Sequence, residues 1–304
     1  KAIDSQGVSL NLDDISSFRR LVKVFKPERI SFRINPGIGK GGFEGITTAG
    51  TDAKFGVPYE MAYEAYNMAK EAGIERFGIH MMTGSNNLEP YYFAQMVEKL
   101  LMIAGGVFKK LEIVPEYVDI GGGLGVPYED GEEQLDIDLT AQLVSEAFRE
   151  KCQKYGFGEP ELKLEPGRYL IADAGYLVTR ISGIKKSYKT FVGVDAGMNT
   201  LLRPALYGAK HRALVYDKDQ NENLVNLCGQ ICENSDIFSV NIPFPDVKEG
   251  DLITFRDAGA YGYVMSSNYN NRLRPPEVLV NNGDAELIRR RETMEDMMKL
   301  YPEP

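Results

Sequence analysis

Two short stretches hold the densest chemistry in this sequence: GGGLG (121–125), directly after a strand-like run, and EPGR (165–168), at the end of the next one. Three glycines let backbone N–H groups come close to a phosphate. EPGR sets a carboxylate, a close-approach glycine and a guanidinium within four residues. Arginine is planar and permanently charged, so it suits a phosphate or a carboxylate. Glu165 can pair with a protonated ring nitrogen. A glycine-rich loop alone fits a tight turn equally well. Two such loops on adjacent strands imply a phosphorylated ligand with a basic ring.

Other chemistries are disfavoured by composition. The three cysteines, Cys152, Cys228 and Cys232, are too few and of the wrong parity for a disulfide framework; they fit a reducing cytoplasm. Cys228 and Cys232 have no histidine close by, so no zinc site is expected. With only His80 and His211, neither a histidine-centred triad nor a multi-histidine metal site is expected. The formal charge of −9 disfavours general nucleic-acid binding, which needs a basic footprint. No apolar run reaches the roughly 18 residues of a membrane span, and KAIDSQGVSL lacks the pattern of a signal peptide.

The elements that must carry these loops alternate through the first half. Strands are expected over 29–37, 76–85, 115–123 and 161–168, and helices over 58–73, 89–106 and 139–156. Apolar strands alternating with helices signal a parallel α/β sheet. Each strand runs into a polar or glycine-rich loop, NPG, TGS, GGG or EPGR, and a β/α barrel places its active site at those carboxyl ends. An open doubly wound sheet is the rival, and periodicity does not separate the two. Beyond about residue 173 come short strands divided by turn residues, the texture of an all-β domain, and ETMEDMMKLY closes the chain as a short helix. The expected division is 1–172, a partial β/α barrel, and 173–304, a β domain. Only four complete strands precede the β domain, with AIDS (2–5) as the end of a fifth, so roughly 100 residues of an eight-unit barrel are unaccounted for.

The succession INPG, GIHMMTGSN, VDIGGGLGVPY and LEPGRYL resembles the barrel half of the alanine-racemase-like, fold-type III pyridoxal-phosphate (PLP) decarboxylases. VDAGMNTLLRPALYGAKH (194–211), GQICENSDIF (229–238), DAGAYGYVMSSNYNNR (257–272) and LIRRRETMEDMM (287–298) are similar to the diaminopimelate decarboxylase group within that family. The resemblance covers nearly the whole chain. It implies the C-terminal half of a PLP-binding (β/α)8 barrel followed by a β domain. It implies that Ser85, Gly123, Pro166, Gly167 and Arg168 bind the cofactor around its phosphate, that Glu165 holds the pyridinium, and that Tyr261 contacts cofactor and substrate. Cys232 would protonate the carbon that loses CO2, and with Glu233 it would come from the other subunit of a homodimer. The implied reaction is decarboxylation of meso-diaminopimelate to L-lysine in the cytoplasm.

Charge supports that substrate. Diaminopimelate has both an ammonium and a carboxylate at its far end. Arg203 and Tyr207, in RPALY, can take the carboxylate and Glu233 the ammonium, with Arg168 also on the substrate side; outside the motif, Arg203 reads as a surface charge and Cys232 as a small apolar residue. Two positions depart from the family. Its cofactor lysine lies in a motif resembling YAxKAN, which is absent, so the 304 residues alone are expected to be inactive. The family's HxGS histidine falls on Met82, leaving His80 either a supporting residue or a core histidine. Two further readings stay open: a carboxynorspermidine-type decarboxylase, and a catalytically dead dimerising regulator of the same fold.

Overall fold

The computed structural model describes residues 8–41, 48–219, 221 and 223–302; AIDS (2–5) and part of the 39–56 loop lie outside them. The chain divides into two units, residues 1–127 with 132–170, and residues 128–131 with 171–304.

The first unit is built on a parallel sheet of β1 (Leu10–Leu12), β2 (Arg29–Phe32), β3 (Arg76–His80), β4 (Pro115–Asp119) and β5 (Glu161–Lys163), side by side in chain order. Helices α1 (Ile15–Leu21), α2 (Ala62–Glu71), α3 (Pro90–Leu111) and α4 (Ile137–Tyr155) fall between successive strands. A doubly wound sheet reverses its strand order at a switch point. This order never reverses, which is the barrel arrangement. β1 and α1 were not anticipated from sequence. Their signal is Asp14, an N-cap whose Oδ1 accepts from the Ser17 N–H at 2.9 Å and whose Oδ2 accepts from the Ser17 hydroxyl at 2.5 Å. Ile15 and Phe18 then bury one face of the short helix.

One apolar core joins these strands and helices. At its centre Tyr66 is fully buried, edge-on to Phe32, Phe77 and Phe108. Its hydroxyl donates to the Gly78 carbonyl at 2.8 Å and accepts from the Phe32 N–H at 3.2 Å, tying β2 to β3. Gly78 is required there, because a Cβ would lie 2.2 Å from the Tyr117 ring.

The second unit has a six-stranded sheet with its own core. In spatial order its strands are Ala213–Val215, Leu252–Phe255, Leu177–Lys186, Thr190–Val194, Leu224–Cys228 and Ile237–Pro243. All neighbours are antiparallel except Thr190–Val194 with Leu224–Cys228. The strand Ile237–Pro243 and the helix Arg203–Tyr207 were not anticipated. A separate hairpin pairs Glu277–Asn281 with Asp284–Arg289 through Asn282-Gly283, both at positive φ, as a tight primed turn requires. Met294–Met298 forms the closing helix behind a Thr293 capping box.

Candidate active site

The carboxyl ends of β3, β4 and β5 bring three loops of the first unit together. The backbone makes this possible. The Glu165 N–H donates to the Gly121 carbonyl at 2.9 Å, and the Asn87 N–H to the Gly123 carbonyl at 2.9 Å. The glycines allow the approach: a methyl on Gly122 would lie 2.4 Å from the Glu165 carbonyl oxygen. One on Gly123 would lie 2.8 Å from the Gly84 carbonyl oxygen, at a φ of +106 that disfavours any side chain. Within this cradle the Arg168 guanidinium, almost wholly buried, donates to the Ser85 hydroxyl at 3.0 Å. A guanidinium, a hydroxyl and glycine backbone from three loops form a donor set for a phosphate.

Glu165 lies beside this cradle. Its side chain is 55% exposed, and Oε2 is 3.6 Å from His80 Nε2. His80, helped by the Arg33 charge, holds the Glu165 carboxyl below the usual carboxylate range against the opposing effect of burial. An ionised carboxylate can hold a proton on a ring nitrogen. Asp119, at the end of β4, is pushed the other way by burial although it accepts from the Gly121 N–H at 2.9 Å. Met82 is half-buried, and its thioether sulfur accepts from the Gly122 N–H at 3.1 Å. That contact is available to a thioether and was not evident from sequence. These residues therefore fit PLP: donors for its phosphate on one side and an anionic partner for its ring nitrogen on the other.

In the second unit, Cys232 and Glu233 are exposed on the turn between Leu224–Cys228 and Ile237–Pro243. Buried Asp236 shapes that turn: Oδ2 accepts from the Ile231 N–H at 2.7 Å and Oδ1 from the Met198 N–H at 2.6 Å. Gly229 leaves room for it, since a Cβ there would be 2.3 Å from an Asp236 oxygen. Neither Asp236 nor its partners was legible as a site residue. Asp236→Ala should strand two N–H donors and cost about 1.5–3 kcal/mol, the range for hydrogen bonds to a charged group. Urea denaturation would register this as a lower midpoint, and a midpoint unchanged from the native protein would contradict the bracing role.

Glu233 accepts from the Ser235 hydroxyl at 2.6 Å and from the Tyr269 hydroxyl, contacts that keep its carboxyl low. The same contact pushes the Tyr269 phenol up. Tyr269 lies in a motif noted in the sequence but was given no role there. Tyr261 is 42% exposed at a φ of +58, and Tyr207 is partly buried at the end of the helix Arg203–Tyr207.

Arg203, expected to take a substrate carboxylate in a desolvated pocket, is enclosed at 1% exposure. Its guanidinium lies 4.4 Å from the centre of the Tyr128 ring, and Nη1 is 2.9 Å from His211 Nε2. His211 Nδ1 is 2.8 Å from the Arg256 carbonyl oxygen. A carbonyl can only accept, so Nδ1 carries the proton and Nε2 accepts from Arg203. The cause is local: RPALY begins its helix with Arg203 turned into the unit's interior, where Tyr128 and His211 meet it.

Residues 1–172 match the family model described as "Pyridoxal-dependent decarboxylase, pyridoxal binding domain". The chain is 46% identical to a diaminopimelate decarboxylase of Methanothermobacter thermautotrophicus, over 98% of this chain and 70% of that protein. It is 36% identical to the enzyme of that name from Escherichia coli, over 96% of this chain and 72% of the other. Among solved structures, diaminopimelate decarboxylase from Helicobacter pylori complexed with L-lysine superposes with a TM-score of 0.86 at 33% identity, covering 96% of this chain and 73% of that one.

Proposed function

The chain belongs to the pyridoxal-dependent decarboxylases, and from that premise we propose how its residues decarboxylate meso-diaminopimelate to L-lysine. The carrying observation is the convergence of Ser85, Gly123 and Arg168 beside an ionised Glu165 on adjacent strand ends. Ser85, Gly123, Pro166, Gly167 and Arg168 hold the phosphate end of PLP. Glu165 keeps a proton on the ring nitrogen, and Tyr261 contacts the cofactor and the substrate. Bound PLP supplies an electron sink for the bond that breaks as CO2 leaves. The Cys232 thiol gives its proton to the carbon that has lost CO2 and recovers one from solvent. Arg203 and Tyr207 receive the distal carboxylate, Glu233 the distal ammonium, and Arg168 lies on the substrate side.

The shared site belongs to a homodimer in the cytoplasm, with Cys232 and Glu233 reaching the partner's cofactor. The exposure of both residues supports this arrangement, and the sparse cysteines support the compartment. Among the described residues no helix is long and apolar enough to cross a membrane.

The test is turnover of meso-diaminopimelate by the PLP-loaded intact protein, with the family's cofactor-lysine segment included, following CO2 and lysine together. Equal amounts of both products are expected. Turnover of carboxynorspermidine in preference, or of neither compound despite bound PLP, would overturn the assignment.

A further inference from the structure

We propose that His80 is a positioning residue for this reaction: set beside Asp119 and Glu165, its imidazole fixes the place and charge of Glu165, and through Glu165 the proton on the cofactor's ring nitrogen. The inference rests on the PLP reading above and assigns a role to a residue outside the phosphate cradle.

Its basis is geometric. His80 closes β3 and is only 3% exposed. Neither ring nitrogen makes a hydrogen bond among the described residues. Buried polar groups are almost always hydrogen-bonded, and an exception needs an explanation. Here the surroundings supply one. His80 pairs in register with Asp119 on β4. His80, Asp119 and Glu165 each bring one nitrogen or oxygen within 4.8 Å of the others. The Glu165 contact, at 3.6 Å, is too long for a hydrogen bond but short enough for a direct electrostatic contact.

The ring therefore lies within 4.8 Å of two carboxylates from neighbouring strand ends. Arg33, bridged to His80 from the β2 side, acts on Glu165, and Lys163 on β5 acts on Asp119. Without the imidazole, Asp119 and Glu165 would repel each other with only Arg33 and Lys163 to offset them. The Glu165 carboxyl would then be easier to protonate and less firmly placed. A neutral Glu165 cannot hold a proton on the ring nitrogen. A histidine that merely filled the core would have no such effect.

The experiment uses the holoenzyme reconstituted with PLP labelled with nitrogen-15 in its ring. The nitrogen shift is followed against pH, alongside kcat and KM. The wild type should keep its ring proton through neutral pH. His80→Leu should lose that proton at lower pH and show a kcat lower by about tenfold or more, with KM little changed. His80→Gln, which keeps a polar donor, should recover part of the loss. A wild-type shift and pH profile in both variants would overturn the proposal. If His80→Leu does not fold, an unmoved shift and profile in His80→Gln overturn it equally. An intact wild type, cofactor-lysine segment included, that fails to bind PLP or to decarboxylate diaminopimelate would instead refute the underlying functional reading, before any variant is compared.

Discussion

Replacement of Cys232 by alanine should lower kcat for meso-diaminopimelate by about 10²–10⁴-fold, the usual contribution of a positioned proton donor. KM should change little, because a thiol that acts only as the proton moves adds nothing to substrate binding. The three cysteines make the comparison internal. Cys152 is buried, and burial pushes its thiol up to about 11. Cys228 is half-buried and is also pushed up by burial. Only Cys232 is exposed, on a turn braced by Asp236. Cys228→Ala should therefore leave kcat unchanged. The measurement is steady-state kinetics on both variants, with deuterium incorporation into lysine made in heavy water. Native kcat in Cys232→Ala, or an equal loss in Cys228→Ala, would falsify the assignment.

The second large effect belongs to Arg203. Losing one partner of a buried charge pair typically costs about 2–5 kcal/mol. Arg203→Ala should thus reduce kcat/KM for diaminopimelate by roughly two orders of magnitude or more, at about 1.4 kcal/mol per factor of ten. The enclosure of Arg203 by Tyr128 and His211 makes a structural contribution certain to accompany it. A substrate without the distal carboxylate separates the two contributions, and lysine is the natural one. If the guanidinium binds substrate, the loss is larger on diaminopimelate than on lysine. Equal losses on both compounds, with a lowered unfolding midpoint, would make Arg203 a core residue and would remove the charge argument for the substrate.

The legible part of this molecule is the part written in local chemistry. Strand-helix alternation marked β2 to β5 and α2 to α4, and the glycines of GGGLG and the EPGR sequence marked the cradle. β1 went unread because three residues, LNL, are too few to show a period, and only the Asp14 cap signals the short helix α1 behind it. The order of the strands could not be read, since both rival sheets share one periodicity. In the candidate site, Ser85 and Arg168 could be named from sequence because each lies in a contiguous motif. The Arg203–His211–Tyr128 cluster and the His80–Glu165 contact were not, because they join residues far apart in sequence and depend on which way a side chain turns. Asp236 was hidden for a related reason: it serves backbone N–H groups, and those have no letter in a sequence.

The contrasting strand orders of the two units also bear on how the chain folds. In the first unit's five-stranded sheet each strand pairs with the one before it, so that sheet can extend stepwise. In the second, Leu177–Lys186 pairs with Leu252–Phe255, and Ala213–Val215 is placed only by that same late strand. Closing such long loops costs entropy before any contact compensates, and non-local pairing is slow. During refolding the first unit should thus protect its amides earlier, leaving Leu177–Lys186 with an open edge for longer. Pulse-labelled hydrogen exchange should show Ile30 and Ile79 protected before Val178 and Ile253; the reverse order would mean that long-range closure is not limiting. Sequential β/α pairing thus makes the cofactor-binding half the quick-folding part, and the time window for misassociation falls on the sheet that carries Cys232.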